Sequence, residues 1–275
     1  MKNFSVQMTS AFDKLPKIAV THALNANTIL IEQAKAIALQ LNCLLLDRGS
    51  TKIQSILNKF NLDALIVVEE HQLTIQTLKE TLRYHPNTSV IRIINICRGR
   101  TDVLIRLMNL KKGDRLLDCT CGLGSDAITG AHVTGDKGYI LALESSAVLS
   151  LLVRKGMLSY QHRTHTEITE AMRRVKIKDT CYKTALPELP DKSFDVVYFD
   201  PMFKKSIDTA NGLQLIRRFA NYVTPTDKDI FHAKRIAVRS VLLKDSSNGK
   251  LLNQLNFDLA KKSRHFSYGI IRCSD

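Results

Sequence analysis

Three short stretches hold residues whose types and spacing suit chemistry. "LLDCTCGLGSDA" places Asp118 at the end of an apolar run and Gly122 and Gly124 just after it. "GYILALE" ends another apolar run in Glu144, and "FDVVYFDPMFKKS" ends a third in Asp200-Pro201-Met202-Phe203 followed by Lys204 and Lys205. Glycines between a strand and a helix permit a tight turn and let a ligand approach the backbone. Gly122-x-Gly124-x-x-Ala127 satisfies a dinucleotide fingerprint, although a plain strand-to-helix turn has the same form. Asp118 separates the cofactors. A pyrophosphate over this turn would be repelled by an acid beside it. S-adenosylmethionine (SAM) offers a cationic sulfonium and an ammonium group, which a carboxylate favours. Glu144, about 20 residues beyond the glycines, is where an acid reaches ribose hydroxyls.

Asp200-Pro201-Met202-Phe203 is similar to the Asp/Asn-Pro-Pro-aromatic signature of enzymes that methylate exocyclic base amines, with Met202 in place of a second proline. The lone pair of such an amine is delocalised into its ring, so the nitrogen is a weak nucleophile. Asp200 and the Pro201 carbonyl can accept its N–H groups and orient it, which is catalysis by positioning and preorganised charge. Phe203 is expected to stack on a flipped base, and Lys204 and Lys205 to hold neighbouring phosphates. Asp200, Pro201 and Phe203 are the expected catalytic residues.

The elements that must position these residues follow from periodicity. From about residue 100, strands and helices alternate: helix at Thr101–Met108, strand "DRLLDCT", helix at Ser125–His132, strand "GYILALE", helix at Ala147–Tyr160, then strands "FDVVYFD" and "RIAVRSV". "HFSYGIIRC" is expected as a last, antiparallel strand at the C-terminal side of the sheet. This alternation predicts an α/β fold with a doubly wound, mostly parallel sheet. Before it, "KIAVTH", "CLLLD" and "ALIVVEE" read as strands, Asn25–Asn42 as a helix capped by Asn27 or Thr28, and Thr51–Phe60 as another helix. "QLTIQTLKETLRYH" fits either a helix or a hairpin turning near Lys79-Glu80, and "HPNTS" reads as a loop. The expected division is a small α/β region over 1–97, assigned to substrate recognition, and a catalytic domain over 98–275.

The net charge of +14 points to a polyanionic partner, with nucleic acid first. The six cysteines form no C-x-x-C pair, so neither a disulfide nor a metal site is expected. The N-terminus lacks a signal-peptide core and no apolar run is long enough to span a bilayer, which predicts a cytoplasmic protein without membrane association.

Together, "LLDCTCGLGSDAI", "LESSAVLSLLVRKGM", "LPDKSFDVVYFDPMFKKS" and the C-terminal "SYGII" resemble the RsmJ (YhiQ) type of SAM-dependent methyltransferase over residues 98–275. The resemblance implies a class I, Rossmann-like fold with a seven-stranded sheet. It also implies transfer of methyl to guanine N2 of 16S rRNA, with the small ribosomal subunit as partner. It places Asp118, Gly122, Gly124, Glu144, Asp200 and Asp126 around the site. Cys119, Thr120, Ser145 and Cys181 complete the expected cofactor-binding set, while Asp179, Cys181 and Tyr182 remain alternatives for the adenine side. Arg98, Arg100 and Asp102 in "RGRTD" are expected to contact phosphate or cap the cleft. Arg173, Arg174, Lys176 and Lys178 in "EAMRRVKIKD" suit an RNA track or a solvated helix face. Competing expectations are methylation of a DNA adenine, a tRNA base or a small molecule, and an RNA-binding protein that keeps the fold without catalysis.

Overall fold

The computed structural model describes residues 16–86, 88–202 and 213–273. The chain begins with β1 (Ile18–His22), α1 (Thr28–Gln40), β2 (Leu44–Leu45), α2 (Ile53–Lys59), β3 (Ala64–Val68), β4 (Leu73–Gln76) and β5 (Thr81–Arg83). These form a five-stranded sheet in the order β2-β1-β3-β4-β5, parallel across β2, β1 and β3 and antiparallel beyond. Every residue of β3 is buried, as a central strand covered on both faces requires. Asn27 is the cap of α1, its side chain accepting the Leu30 N–H at 2.9 Å. The ambiguous segment after β3 is a hairpin. Thr77 stabilises its turn, with Oγ1 accepting the Lys79 and Glu80 N–H groups.

The second unit runs α3 (Thr88–Cys97), α4 (Val103–Met108), β6 (Arg115–Asp118), α5 (Ser125–Thr134), β7 (Tyr139–Glu144), α6 (Ala147–Ser159), α7 (Thr166–Arg174), β8 (Val175–Asp179), α8 (Tyr182–Ala185), β9 (Phe194–Phe199), α9 (Leu213–Phe219), α10 (Asp227–Ile236), β10 (Ala237–Ser246), α11 (Lys250–Gln254), β11 (Asp258–Lys262) and β12 (Phe266–Arg272). Its seven strands lie in the order β11-β12-β10-β9-β6-β7-β8, and β12 alone runs against its neighbours. This is the doubly wound, mostly parallel sheet the alternation predicts. The chain winds outward from β6 to β8 on one side, then returns to β9 on the other. That reversal opens a crevice at the carboxyl ends of β6 and β9.

Several elements depart from expectation. Thr88 and Ser89 of the expected "HPNTS" loop open helix α3. Val90, Ile93, Ile94 and Cys97 recur at helical spacing, and Ile93 is buried in the core of the second sheet. The change from one sheet to the other therefore falls between β5 and α3, ahead of the border expected at 97/98. The basic run after α7 is not one helix face: Lys176 and Lys178 belong to the edge strand β8. β12 lies inside the sheet, because the unexpected strand β11 covers its outer edge.

The two units share α6. This helix is apolar around most of its circumference, as a helix buried on opposite faces must be. Val148, Leu149, Leu151 and Leu152 join Ile66, Leu73 and Ile75 of the first sheet in one core. Val153 and Met157 join Ile140 and Leu116 in the core of the second. Gly156 leaves room for Tyr84, whose ring would overlap any Cβ there.

Candidate active site

The loop from β6 to α5 is built as a continuation of the sheet. Cys119 N–H donates to the Tyr198 carbonyl at 2.8 Å on one side, and Cys121 N–H to the Leu143 carbonyl at 2.9 Å on the other. Gly122 and Gly124 then take positive φ, +53° and +79°. They serve different ends. A Cβ on Gly124 would overlap Met157 of α6, so this glycine permits close packing of helix on loop. Gly122 lines a cavity and has open space where a Cβ would be.

Glu144 ties this loop to β7. Its Oε2 accepts the Gly122 N–H at 2.9 Å and its Oε1 the Ser146 N–H at 2.8 Å. Burial raises its pKa, against the pull of those backbone donors. Asp118 is buried beneath the loop, with Oδ1 accepting the Thr120 N–H at 3.0 Å. Its pKa is raised well above the usual carboxylate range by burial and by the charges of Asp126, Asp200 and Glu144. Thr120 reaches the other way: its Oγ1 accepts the Asp200 N–H at 2.6 Å, fixing the end of β9 to the glycine loop.

One cavity thus has Cys119, Thr120, Gly122, Glu144 and Ser145 on one wall and Asp200, Pro201 and Met202 on the other. The cavity wall also carries Tyr182, whereas Cys181 is not among its lining residues. Cys181 precedes α8 as its N-terminal cap residue, whereas Tyr182 is buried and donates its hydroxyl to the Val223 carbonyl at 3.1 Å. Asp126 stands in the first turn of α5 and is ion-paired to Arg92 of α3.

The segment Arg98–Asp102 does not come to the cleft as expected. Helix α3 runs alongside α5 in the same direction, with Thr88 Oγ1 against Ser125 Oγ at 2.6 Å and Cys97 Sγ against His132 Nε2 at 3.8 Å. Arg98 and Arg100 follow the distal end, about 13 Å along the axis at 1.5 Å per residue. Asp102 caps α4 by accepting the Ile105 N–H at 3.1 Å, and it grips Arg92 Nε at 2.8 Å. It belongs to an Asp102–Arg92–Asp126 bridge. Phe203, Lys204 and Lys205 lie outside the described residues.

Two residues of the site escaped the sequence reading. Lys244 Nζ donates to Asp200 Oδ2 at 2.8 Å. The register pairs Leu243 of β10 with Phe199 of β9, so the residues that follow each stand side by side. A signal existed: "VYFD" and "VLLK" are apolar runs closed by residues of opposite charge. Arg92 is the other. It is the lone basic residue in the apolar helix α3.

Comparison with known proteins decides the family. Residues 52–271 match the family model described as "Putative SAM-dependent methyltransferase". The chain belongs to that family. The methyltransferase is 34% identical over 245 residues to the uncharacterized protein YpiP of Bacillus subtilis, covering 89% of this chain and 95% of that one. It is 31% identical over 125 residues to Ribosomal RNA small subunit methyltransferase J of Coxiella burnetii, in agreement with the resemblance read from the motifs. That alignment spans 44% of this chain and 46% of the relative. In fold it resembles the SAM-dependent methyltransferase NGO1261 from Neisseria gonorrhoeae, with a TM-score of 0.61 at 14% identity, covering 94% of this chain and 97% of that one.

The cofactor of this family is SAM, and the residues present fit it. The space in front of Gly122 is a cradle that a Cβ would enter, and Glu144 and Ser145 line the same cavity. Among the described residues no group of His, Cys, Asp or Glu is arranged to hold a metal ion. No helix among them is long and apolar enough to cross a membrane.

Proposed function

We propose that the methyltransferase modifies an exocyclic base amine, and that this amine is N2 of a guanine in 16S rRNA. The observation that carries the reading is the position of Asp200. It follows the carboxyl end of β9, is tied through Thr120 to the glycine loop, and lines one cavity with Gly122 and Glu144. Its use is to accept an N–H from a planar amine and hold the nitrogen towards the methyl donor. Lys244 occupies Oδ2, which leaves Oδ1 for the amine among the described residues. The Pro201 carbonyl accepts the second N–H. SAM, when bound, supplies an electrophilic methyl group that the nitrogen takes in one displacement as the sulfur–carbon bond breaks. Asp200 then receives the surplus amine proton and passes it to water.

Three further points support an rRNA substrate: the net charge of +14, the match to relatives named for the small-subunit rRNA, and the lysines that follow Phe203. In this reading Phe203 stacks the flipped guanine. The first sheet, docked through α6, selects the RNA target.

The test is methyl transfer from isotopically labelled SAM to small ribosomal subunits of a strain lacking this gene, followed by nucleoside mass spectrometry. Label in N2-methylguanosine supports the proposal, and label in another nucleoside overturns the guanine assignment. Asp200→Ala is expected to bind SAM and transfer no methyl group. Full activity in that variant would remove Asp200 from the mechanism.

A further inference from the structure

We infer that Lys244 is a positioning residue for methyl transfer, holding Asp200 as a fixed, ionised carboxylate with one oxygen turned to the substrate. This rests on the amine-methylation reading above.

Asp200 stands in acidic surroundings. Asp118 faces it from β6 and Asp126 from α5, while the buried phenol of Tyr198 lies two residues back on its own strand. The Tyr198 hydroxyl has no hydrogen-bond partner among the described residues. Asp126 has its own counterion in Arg92. Among the described residues, the cation that touches Asp200 is Lys244, at 2.8 Å. Burial, with a contribution from Asp126, pushes the Asp200 carboxyl above the usual carboxylate range, and the contact with Lys244 is what limits that rise. Lys244 in turn stays protonated despite burial, because the Asp200 and Asp126 carboxylates outweigh that cost.

The lysine is held as well as charged. Its strand partner on β12 is Tyr268, and its ammonium lies 5.5 Å from the centre of the Phe266 ring. The ammonium thus has the Phe266 ring and the Asp200 carboxylate as its neighbours. Ionisation matters for the amine. A protonated carboxyl is a donor on one oxygen and loses half its capacity to accept. An amine presented to it meets a donor, and its lone pair is not aimed.

The test uses the full chain with aspartate labelled with ¹³C at Cγ, as wild type, Lys244→Met, Lys244→Gln and Lys244→Arg. The Asp200 signal is assigned by its loss in Asp200→Asn. Removing an ammonium in direct contact is expected to raise the Asp200 midpoint by about one pH unit or more in the Met and Gln variants. The Arg variant is expected to return it. The acidic limb of kcat/KM for methyl transfer to small ribosomal subunits should move with the carboxyl midpoint, while SAM affinity by calorimetry stays within about twofold of wild type. An unmoved midpoint in both the Met and Gln variants overturns the inference. So does a fall in kcat by one factor at every pH, which a purely structural lysine would give. If wild type methylates no subunit, the substrate reading fails, and the carboxyl titration still decides the role of Lys244.

Discussion

Glu144→Gln separates holding the glycine loop from merely touching a ligand. Each Glu144 oxygen receives one backbone N–H, from Ser146 at 2.8 Å and from Gly122 at 2.9 Å. Glutamine has one acceptor oxygen. Its amide NH2 must face the other backbone N–H, donor to donor, in a site where the residue is 7% exposed. Losing a charge-assisted hydrogen bond and stranding its donor costs about 1.5–3 kcal/mol. The ligand must restore the loop before it can bind, so the cost appears in affinity. It corresponds to a SAM dissociation constant raised about 10- to 150-fold. Calorimetric titration of SAM into the two proteins measures this. Amide hydrogen exchange in the ligand-free protein gives the second readout, with Gly122 or Ser146 exchanging faster in the variant. A dissociation constant within twofold of wild type, with both amides unchanged, would refute the reasoning.

Asp118→Asn keeps an oxygen for the Thr120 N–H and removes a buried charge, so the variant should lose SAM binding while the ligand-free protein becomes more stable. The sign follows from linkage. A carboxyl whose folded pKa is raised favours folding at low pH, and that contribution is lost as pH rises through the folded value. The gain in melting temperature should therefore be largest near pH 8 and disappear towards about pH 4, where the unfolded aspartate also takes a proton; a gain independent of pH would show that charge is not its cause. Gly156→Ala should gain about 1 kcal/mol of helix propensity and lose about 1–3 kcal/mol to overlap with Tyr84, for a net fall in thermal stability that shrinks in a Tyr84→Ala background. A higher melting temperature for Gly156→Ala in the wild-type background would count against the docking of Tyr84 on α6. Arg92→Leu leaves Asp102 and Asp126 without their shared cation and should lower stability by about 3 kcal/mol, read by urea denaturation; Arg92→Lys, unable to span both carboxylates, should recover only part of it.

Local signals carried most of the fold. The strands ending in Asp118, Glu144 and Asp200 are apolar runs closed by an acid, and the glycines after Asp118 mark the turn. What escaped was written in less local terms. Helix α3 is rich in Ile and Val, so its composition suggests a strand while its spacing is helical. β8 and β11 are edge strands with charged faces, and β8 continues the basic run of α7 without a break in composition. Arg98 and Arg100 look poised before the catalytic sheet in sequence, yet the length of α3 carries them to its far end. Lys244 lies 44 residues from Asp200, and only the strand order places them together. Cys181 and Tyr182 are adjacent in sequence, and the start of α8 decides which of them faces the cavity.

The shared helix α6 makes the two sheets one cooperative unit. Its central turns are lined on one side by the first sheet and on the other by the second, so neither can leave without stripping leucines and valines from its partner. Its amides should belong to the slowest-exchanging class in the protein, opening only when the whole chain unfolds. Ser145 and Ser146, at the head of the same helix, border the cavity or bond to Glu144. Occupancy of the cavity should therefore slow exchange in β3 and β4 of the distant sheet as well as in β6 and β7.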